Sequence, residues 1–171
     1  ANAIKVGPPL DPSFNMGPLV SSAQRDRVLG YLEAGKREGA RAAAGGDGAP
    51  LPKGYFVRPT VLTEVDNQMK VAREEIFGPV AALIPFTDEA DAVQQANDTI
   101  YGLAAAVWTR DISRAHAIAR AVRAGSVSVN CYGMNMPIAP FGGYKQSGIG
   151  RELGKQSLEL YTQVKSVFVK L

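Results

Sequence analysis

Leu103-Ala104-Ala105-Ala106-Val107-Trp108, then Asp111-Ile112-Ser113-Arg114-Ala115-His116-Ala117-Ile118-Ala119-Arg120-Ala121-Val122, then Ser126-Val127-Ser128-Val129-Asn130: the order of these three segments decides the fold. The first is short and apolar and reads as a strand. The second places Ile112, Ala115, Ile118, Ala119 and Val122 on one face of a helix, the spacing of an amphipathic stripe, and Gly125 follows as its stop. The third reads as a second strand. A crossover of a dozen residues returns the chain to the end of the sheet it left, so the two strands pair in parallel.

Working upstream, Thr87-Asp88-Glu89 opens a helix with acids in its first turn, where the helix dipole favours them. Val80–Phe86 reads as a buried strand, Phe56–Leu62 as another, and Ala40–Ala44 as a short strand of small residues. Ser21-Ser22-Ala23-Gln24 is a capping-box pattern that opens a helix running to about Glu38. Val28, Tyr31, Leu32 and Gly35 share its apolar face, and Gly39 stands where a left-handed cap belongs. Residues 1–20 and 45–50 are rich in Gly and Pro and read as loops. Working downstream, Met134–Gly150 reads as a long loop, Arg151–Tyr161 as a helix and Lys165–Leu171 as a last strand. The expected class is α/β, an open, mostly parallel sheet with flanking helices. In the last strand both alternating faces carry apolar groups, so it is either an edge of its own sheet or pairs with a partner.

The totals agree with a globular chain: 171 residues, 46% hydrophobic and 20% charged. The 19 basic residues barely exceed the 16 acidic ones, and Arg25, Arg27, Lys36, Arg41, Arg58, Arg73 and Arg110 are dispersed among acids. Nucleic-acid binding needs a clustered basic face to collect the phosphate energy, and there is none. The single cysteine, Cys131, allows no disulfide within the chain and favours a reducing, cytoplasmic setting. No apolar run approaches the roughly 20 residues that span a bilayer, so no membrane role is expected. The N-terminal residues have no signal-peptide core and do not begin with Met, which suggests a processed or truncated chain.

Judged by spacing alone, the chemistry stays open. Gly142-Gly143-Tyr144-Lys145-Gln146-Ser147-Gly148-Ile149-Gly150 is neither a P-loop nor a dinucleotide fingerprint. It is either a tight crossover or a set of backbone N–H groups at the start of the next helix. Cys131 is the only thiol and reads as an inert, buried one, and His116 as a helix-surface imidazole. No set of His, Cys and carboxylates has structural-zinc spacing. Glu74-Glu75 is either a solvated turn before a strand or a functional pair.

Four segments together resemble the aldehyde dehydrogenase superfamily, in its betaine-aldehyde-dehydrogenase-like branch. They are Asn15-Met16-Gly17-Pro18-Leu19, Glu74-Glu75-Ile76-Phe77-Gly78-Pro79-Val80, Pro140 to Gly154, and Tyr161-Thr162-Gln163-Val164-Lys165. The resemblance covers the whole chain in order. It implies oxidation of an aldehyde to a carboxylic acid with NAD, or NADP. In that scheme a cysteine thiolate forms a thiohemiacetal, hydride leaves to the nicotinamide, and water hydrolyses the thioester. Glu75 resembles the carboxylate that accepts hydrogen bonds from the nicotinamide ribose, and Phe77 the aromatic beside the nicotinamide. Phe141, Met134 and Met136 resemble the wall of the aldehyde channel. Some relatives hold potassium near the segment from Lys145 to Gly148 and use the acid matching Glu152 in a proton relay. Gln163 stands where many members carry a carboxylate that could pair with Arg151.

The resemblance divides the chain into residues 1–162, the C-terminal portion of a catalytic domain, and 163–171, an oligomerisation strand of a homodimer or homotetramer. The family nucleophile, in a Gly-Gln-x-Cys context, belongs to a segment upstream of these motifs, as do the catalytic glutamate and the dinucleotide-binding domain. The chain alone is therefore expected to be a fragment without activity, partnered by the rest of a parent chain. The alternative is a non-catalytic assembly module derived from the same fold.

Overall fold

The computed structural model describes residues 1–48, 50–133 and 136–171. Two compact units divide the chain, Ala1–Pro85 and Phe86–Leu171. The division falls inside the segment 1–162 that the resemblance treats as one portion of a domain.

In the first unit, α1 (Ser22–Glu38) begins where the sequence places it. Ser21 is extended and its hydroxyl accepts from the Gln24 backbone N–H at 3.2 Å, which satisfies one of the orphan donors of the first turn. Gly39 ends the helix at φ 109°, a conformation that costs a β-carbon dearly. Chain reversal there delivers β1 (Arg41–Ala44), which pairs antiparallel with β2 (Thr60–Thr63). A short helix α2 (Lys70–Arg73) follows, and then β3 (Val80–Ala82), parallel to β2. The core lies between α1 and this sheet. Val28, Tyr31 and Leu32 of the helix meet Leu62, Val57, Val65, Val71 and Ile76. Leu62 and Val28 are completely buried, so the predicted apolar face of α1 is the observed one.

In the second unit, α3 (Glu89–Asn97) starts from Asp88, whose carboxylate accepts from the Asp91 N–H. β4 (Ala104–Val107), α4 (Ile112–Ala121) and β5 (Ser126–Val129) form the expected crossover. Residues 104–107 pair in parallel, one for one, with 126–129. Asp111 caps α4 by accepting from both Ser113 and Arg114 N–H groups. Ala115 is the buried residue of this helix, whereas Ile112, counted in its apolar stripe, is exposed in the first turn.

Several expectations need correction. Among the described residues the strands form not one open sheet but two, of order β1-β2-β3 and β4-β5, with one antiparallel pair. Alternation of strand and helix limits local handedness but does not say which strands bond. The strand expected from Phe56 starts only at Thr60, because Pro59 has no N–H to give a ladder, although Phe56 and Val57 are buried. The helix expected over 151–161 is reduced to α5 (Ser157–Leu160), since Leu153 and Gly154 both adopt positive φ and Glu152 is extended. Residues 163–171 form no strand here: their backbone has no neighbour to pair with, and Val164, Phe168 and Leu171 are exposed.

Candidate functional site

The Glu74–Gly78 segment is shaped by α1. Ile76 is buried in the core, whereas Glu75 and Phe77 on either side of it are exposed. Phe77 sits at φ 55°, a left-handed conformation that is a real departure for a bulky aromatic and costs about 1–3 kcal/mol unless its surroundings hold it. Three groups on α1 supply that hold. Gln24 Nε2 donates to the Phe77 carbonyl at 2.8 Å and to the Ile76 carbonyl at 3.3 Å. Arg27 donates to the Glu75 carbonyl at 3.2 Å. Gly78 lies so close to the helix that a β-carbon would stand 2.5 Å from Val28 Cγ2.

The two adjacent glutamates have different fates. Glu74 accepts from the Tyr31 hydroxyl at 2.8 Å and from the Lys70 ammonium at 2.7 Å. Arg27 and Lys70 both lie over the Tyr31 ring, 5.6 and 5.4 Å from its centre. The Lys70 ammonium, then the Tyr31 hydroxyl, hold the Glu74 carboxyl below the usual carboxylate range, and Glu74 in turn raises Lys70. Glu75 has none of this. Among the described residues no donor takes its carboxylate, and its side chain is exposed beside that of Phe77. An unclaimed acid next to an unclaimed aromatic can clasp a molecule carrying hydroxyl donors and a flat ring, since an ionised carboxylate only accepts.

The second unit holds the other motif. Phe141 and Glu152 exchange both backbone hydrogen bonds at 2.7 Å, so the two ends of the glycine-rich loop are clipped together. Between them a 3-10 turn, Lys145–Ser147, folds over Ile100 and Gly102. The Tyr144 N–H donates to the Gly102 carbonyl, the Gln146 N–H to Ile100, and the Gly102 N–H to Ser147 Oγ. The Tyr144 and Gln146 N–H groups are thus used inside the unit, as a tight crossover would have them. Lys145 Nζ donates to the carbonyls of Asn97 and Thr99 at 2.8 and 3.0 Å. Arg151 donates to the Gly143 and Gly150 carbonyls and lies over the Tyr144 ring, 5.3 Å from its centre. The guanidinium is thereby used within its own loop.

Of the residues expected at the site, Phe141 is half-buried, Met136 is exposed, and Glu152 presents an exposed side chain from a fixed backbone. Met134 lies outside the described residues. Gly148 is exposed at φ 132°. The structure brings Phe141, Glu152 and Lys145 into one loop system, and Glu75 and Phe77 into another, in the other unit. Cys131 is half-buried, His116 is exposed, and among the described residues no three His, Cys or acidic side chains gather as a metal site. Also among the described residues, no helix is long and apolar enough to cross a membrane.

Sequence reading missed Gln24, Arg27 and the tether through Tyr31. The capping-box pattern assigned the Gln24 side chain to its own helix end, whereas its amide reaches across to the loop. One signal was available: Gln24 and Arg27 are spaced i, i+3 on α1 and lead at i+7 to Tyr31, whose hydroxyl is the polar tip of the buried face.

The aldehyde dehydrogenase family profile matches residues 1–167. A betaine aldehyde dehydrogenase from Brucella anthropi is 51% identical over 98% of this chain and 35% of its own length. A putative aldehyde dehydrogenase from Bacillus subtilis is 48% identical over 100% of this chain and 34% of its own. The NAD+ complex of an aldehyde dehydrogenase from Bacillus cereus superposes with a TM-score of 0.96 at 51% identity, over 100% of this chain and 35% of that one. The chain thus spans about a third of the length of the curated relatives it matches. With these likenesses running through both units and across both motif loops, the chain belongs to the aldehyde dehydrogenase family.

Proposed function

We propose that this chain contributes the cofactor clasp and part of the substrate channel to an oxidoreductase that converts an aldehyde to a carboxylic acid with NAD. One observation carries the reading: among the described residues no donor takes the carboxylate of Glu75, and Phe77 is exposed, while the adjacent Glu74 is engaged by Tyr31 and Lys70. The likeness to a Bacillus cereus enzyme solved with NAD+ supports the choice of cofactor. When bound, the nicotinamide accepts the hydride that leaves the substrate. Glu75 accepts hydrogen bonds from ribose hydroxyls and so fixes the ring's position, and Phe77 packs beside the ring. Positioning of this kind lowers a barrier by removing motion in advance.

Phe141 and Met136 contribute to the apolar side of the aldehyde channel, and the Glu152 carboxylate moves a proton toward or away from water at its mouth. Two carbonyls near the Lys145–Gly148 turn already hold an ammonium, and no step in this reading runs through potassium. The nucleophilic cysteine is supplied by the rest of a parent chain, since Cys131 follows β5 with no base assigned to it. The isolated chain therefore forms no NADH from an aldehyde. Residues 163–171 pair with a second copy, which would cover the exposed Val164, Phe168 and Leu171.

The test is Glu75→Gln in the full-length parent enzyme. The amide keeps the shape and removes the charge. Hydrogen bonds to a charged group are worth about 1.5–3 kcal/mol, so KM for NAD should rise roughly 10- to 100-fold. An unchanged KM for NAD and an unchanged kcat would refute the clasp.

A further inference from the structure

Met136 begins a turn, closed by the Ala139 N–H donating to the Met136 carbonyl at 2.9 Å. Pro137 suits the second position of such a turn, where its fixed φ is already the one required. Residues 137–140 are exposed, so burial does little to hold them. What anchors them is the segment 152–154. Phe141 and Glu152 exchange both backbone bonds, and the next rung of a regular antiparallel ladder would join residues 139 and 154. The Ala139 N–H is already used by the turn. The Gly154 N–H instead reaches two residues further, to the Pro137 carbonyl at 2.9 Å.

Leu153 and Gly154 make that reach by turning left-handed, at φ 57° and 58°. The bend brings Gly154 against the turn itself. A β-carbon on it would stand 2.9 Å from the Pro140 nitrogen and 3.2 Å from the Ala139 carbonyl carbon. Both are backbone atoms, so neither could rotate out of the way. Ser157 fixes the bend, its hydroxyl donating to the Gly154 carbonyl at 2.9 Å. Resting on the channel reading of Met136, we propose that Gly154 is a positioning residue for the aldehyde: it seats the turn that carries Met136 and so sets the width of the channel.

An alanine at this position meets two obstacles, the left-handed φ and the contact with Pro140. Gly154 is half-buried and held by Ser157, whereas residues 137–140 are exposed, so the turn is the side that yields. Met136 moves with it. The Phe141–Glu152 pair lies outside the clash, so the loop is displaced and not unfolded.

The experiment is a double-mutant cycle in the full-length parent enzyme, using Gly154→Ala, Met136→Ala and both together. Steady-state kinetics are measured with straight-chain aldehydes from acetaldehyde to octanal, together with KM for NAD. Gly154→Ala should change the ratio of kcat/KM between octanal and acetaldehyde by about tenfold and leave KM for NAD unchanged, because a displaced apolar wall is felt by the chain that packs on it. In the double variant the effect of Gly154→Ala on that ratio should shrink, since the side chain through which it acts is gone. Ser157→Ala loosens the bend without adding bulk. It should shift the ratio in the same direction by a smaller factor, and it takes the place of Gly154→Ala in the cycle if that variant does not fold. An equal loss for every aldehyde, fully additive effects in the cycle, or a lower melting temperature at an unchanged ratio would overturn the positioning role while leaving the channel reading standing. If Met136→Ala itself leaves the ratio unchanged, the channel reading of Met136 fails and this proposal with it.

Discussion

Gly125 and Gly142 meet backbone to backbone: a methyl group on Gly125 would overlap the carbonyl oxygen of Gly142. Neither has a positive φ, so what these positions require is space, not a left-handed backbone. The Gly102 carbonyl joins them to the rest of the unit, accepting from both the Gly125 and the Tyr144 N–H groups. Gly125→Ala should therefore pry the glycine-rich loop from the start of β5. Overpacking a tight contact costs about 1–3 kcal/mol, and here the obstacle is backbone, which places the expected cost at the upper end. A urea melt would show it as a lower midpoint at unchanged slope. A midpoint within error of wild type would mean that the loop is not seated on β5.

Leu62 is the central side chain of the first unit, completely buried in β2 between α1 and the sheet. Leu62→Ala removes that packing and leaves a cavity that the helix cannot collapse into, at an expected cost of about 2–5 kcal/mol. Gly35 shows how little slack there is: a β-carbon on it would stand 2.9 Å from Val71 Cγ1. Denaturant unfolding of the variant measures the loss directly.

The tether of Glu74 predicts a pH response. A carboxyl held below its ordinary value of 4.5 adds stability above that pH, and the addition is lost as pH falls through its lower folded value. Lys70, held above its ordinary 10.5, adds stability below that pH and loses it as pH rises through its higher folded value. The Lys70–Glu74 contact should thus survive across the whole neutral range and open at the two extremes, in acid as Glu74 is protonated and in strong base as Lys70 loses its proton. An NMR titration of the Glu74 side chain should place its midpoint below 4.5, and Lys70→Met should move it back up. A midpoint at or above the ordinary value in the wild type would remove the tether.

The tail makes the opposite kind of prediction. Phe168 is 94% exposed, so Phe168→Asp should change monomer stability by no more than about 0.5 kcal/mol. If the tail pairs with a second copy as proposed, the substitution should instead abolish self-association, because it sets a charge on the apolar surface that the pairing would cover. Sedimentation of the full-length parent with and without the substitution distinguishes a smaller particle from an unchanged one, and the unchanged particle would retire 163–171 as an assembly strand.

The starts of α1, α3 and α4 were legible to within a residue or two, because Ser21, Asp88 and Asp111 each cap a first turn by a side chain that accepts its N–H groups, whereas α2 was not anticipated and α5 begins at Ser157 instead of Arg151. The buried face of α1 was equally plain. Sheet membership was not, since pairing of Arg41 with Thr63 depends on where a loop delivers the second strand. The Arg151–Tyr161 stretch misled because its composition suits a helix, while Leu153 and Gly154 adopt left-handed backbone that only the tertiary setting demands. At the site, Glu75 and Phe77 were found through family resemblance, their spacing being compatible with a plain turn. The division of labour between Glu74 and Glu75 could not be read at all, because it is decided by Tyr31, forty-three residues away.

The Lys145 ammonium rests on carbonyls that lie 48 and 46 residues earlier in the chain. Such a contact cannot form until β4, α4 and β5 have been assembled between its two ends, so it comes late in any folding sequence, after the loop-closure entropy has already been met. What closes last tends to open first. The amides of Tyr144 and Gln146 should accordingly exchange with solvent well before those of β4 and β5, and the glycine-rich loop becomes the natural point of entry for a protease.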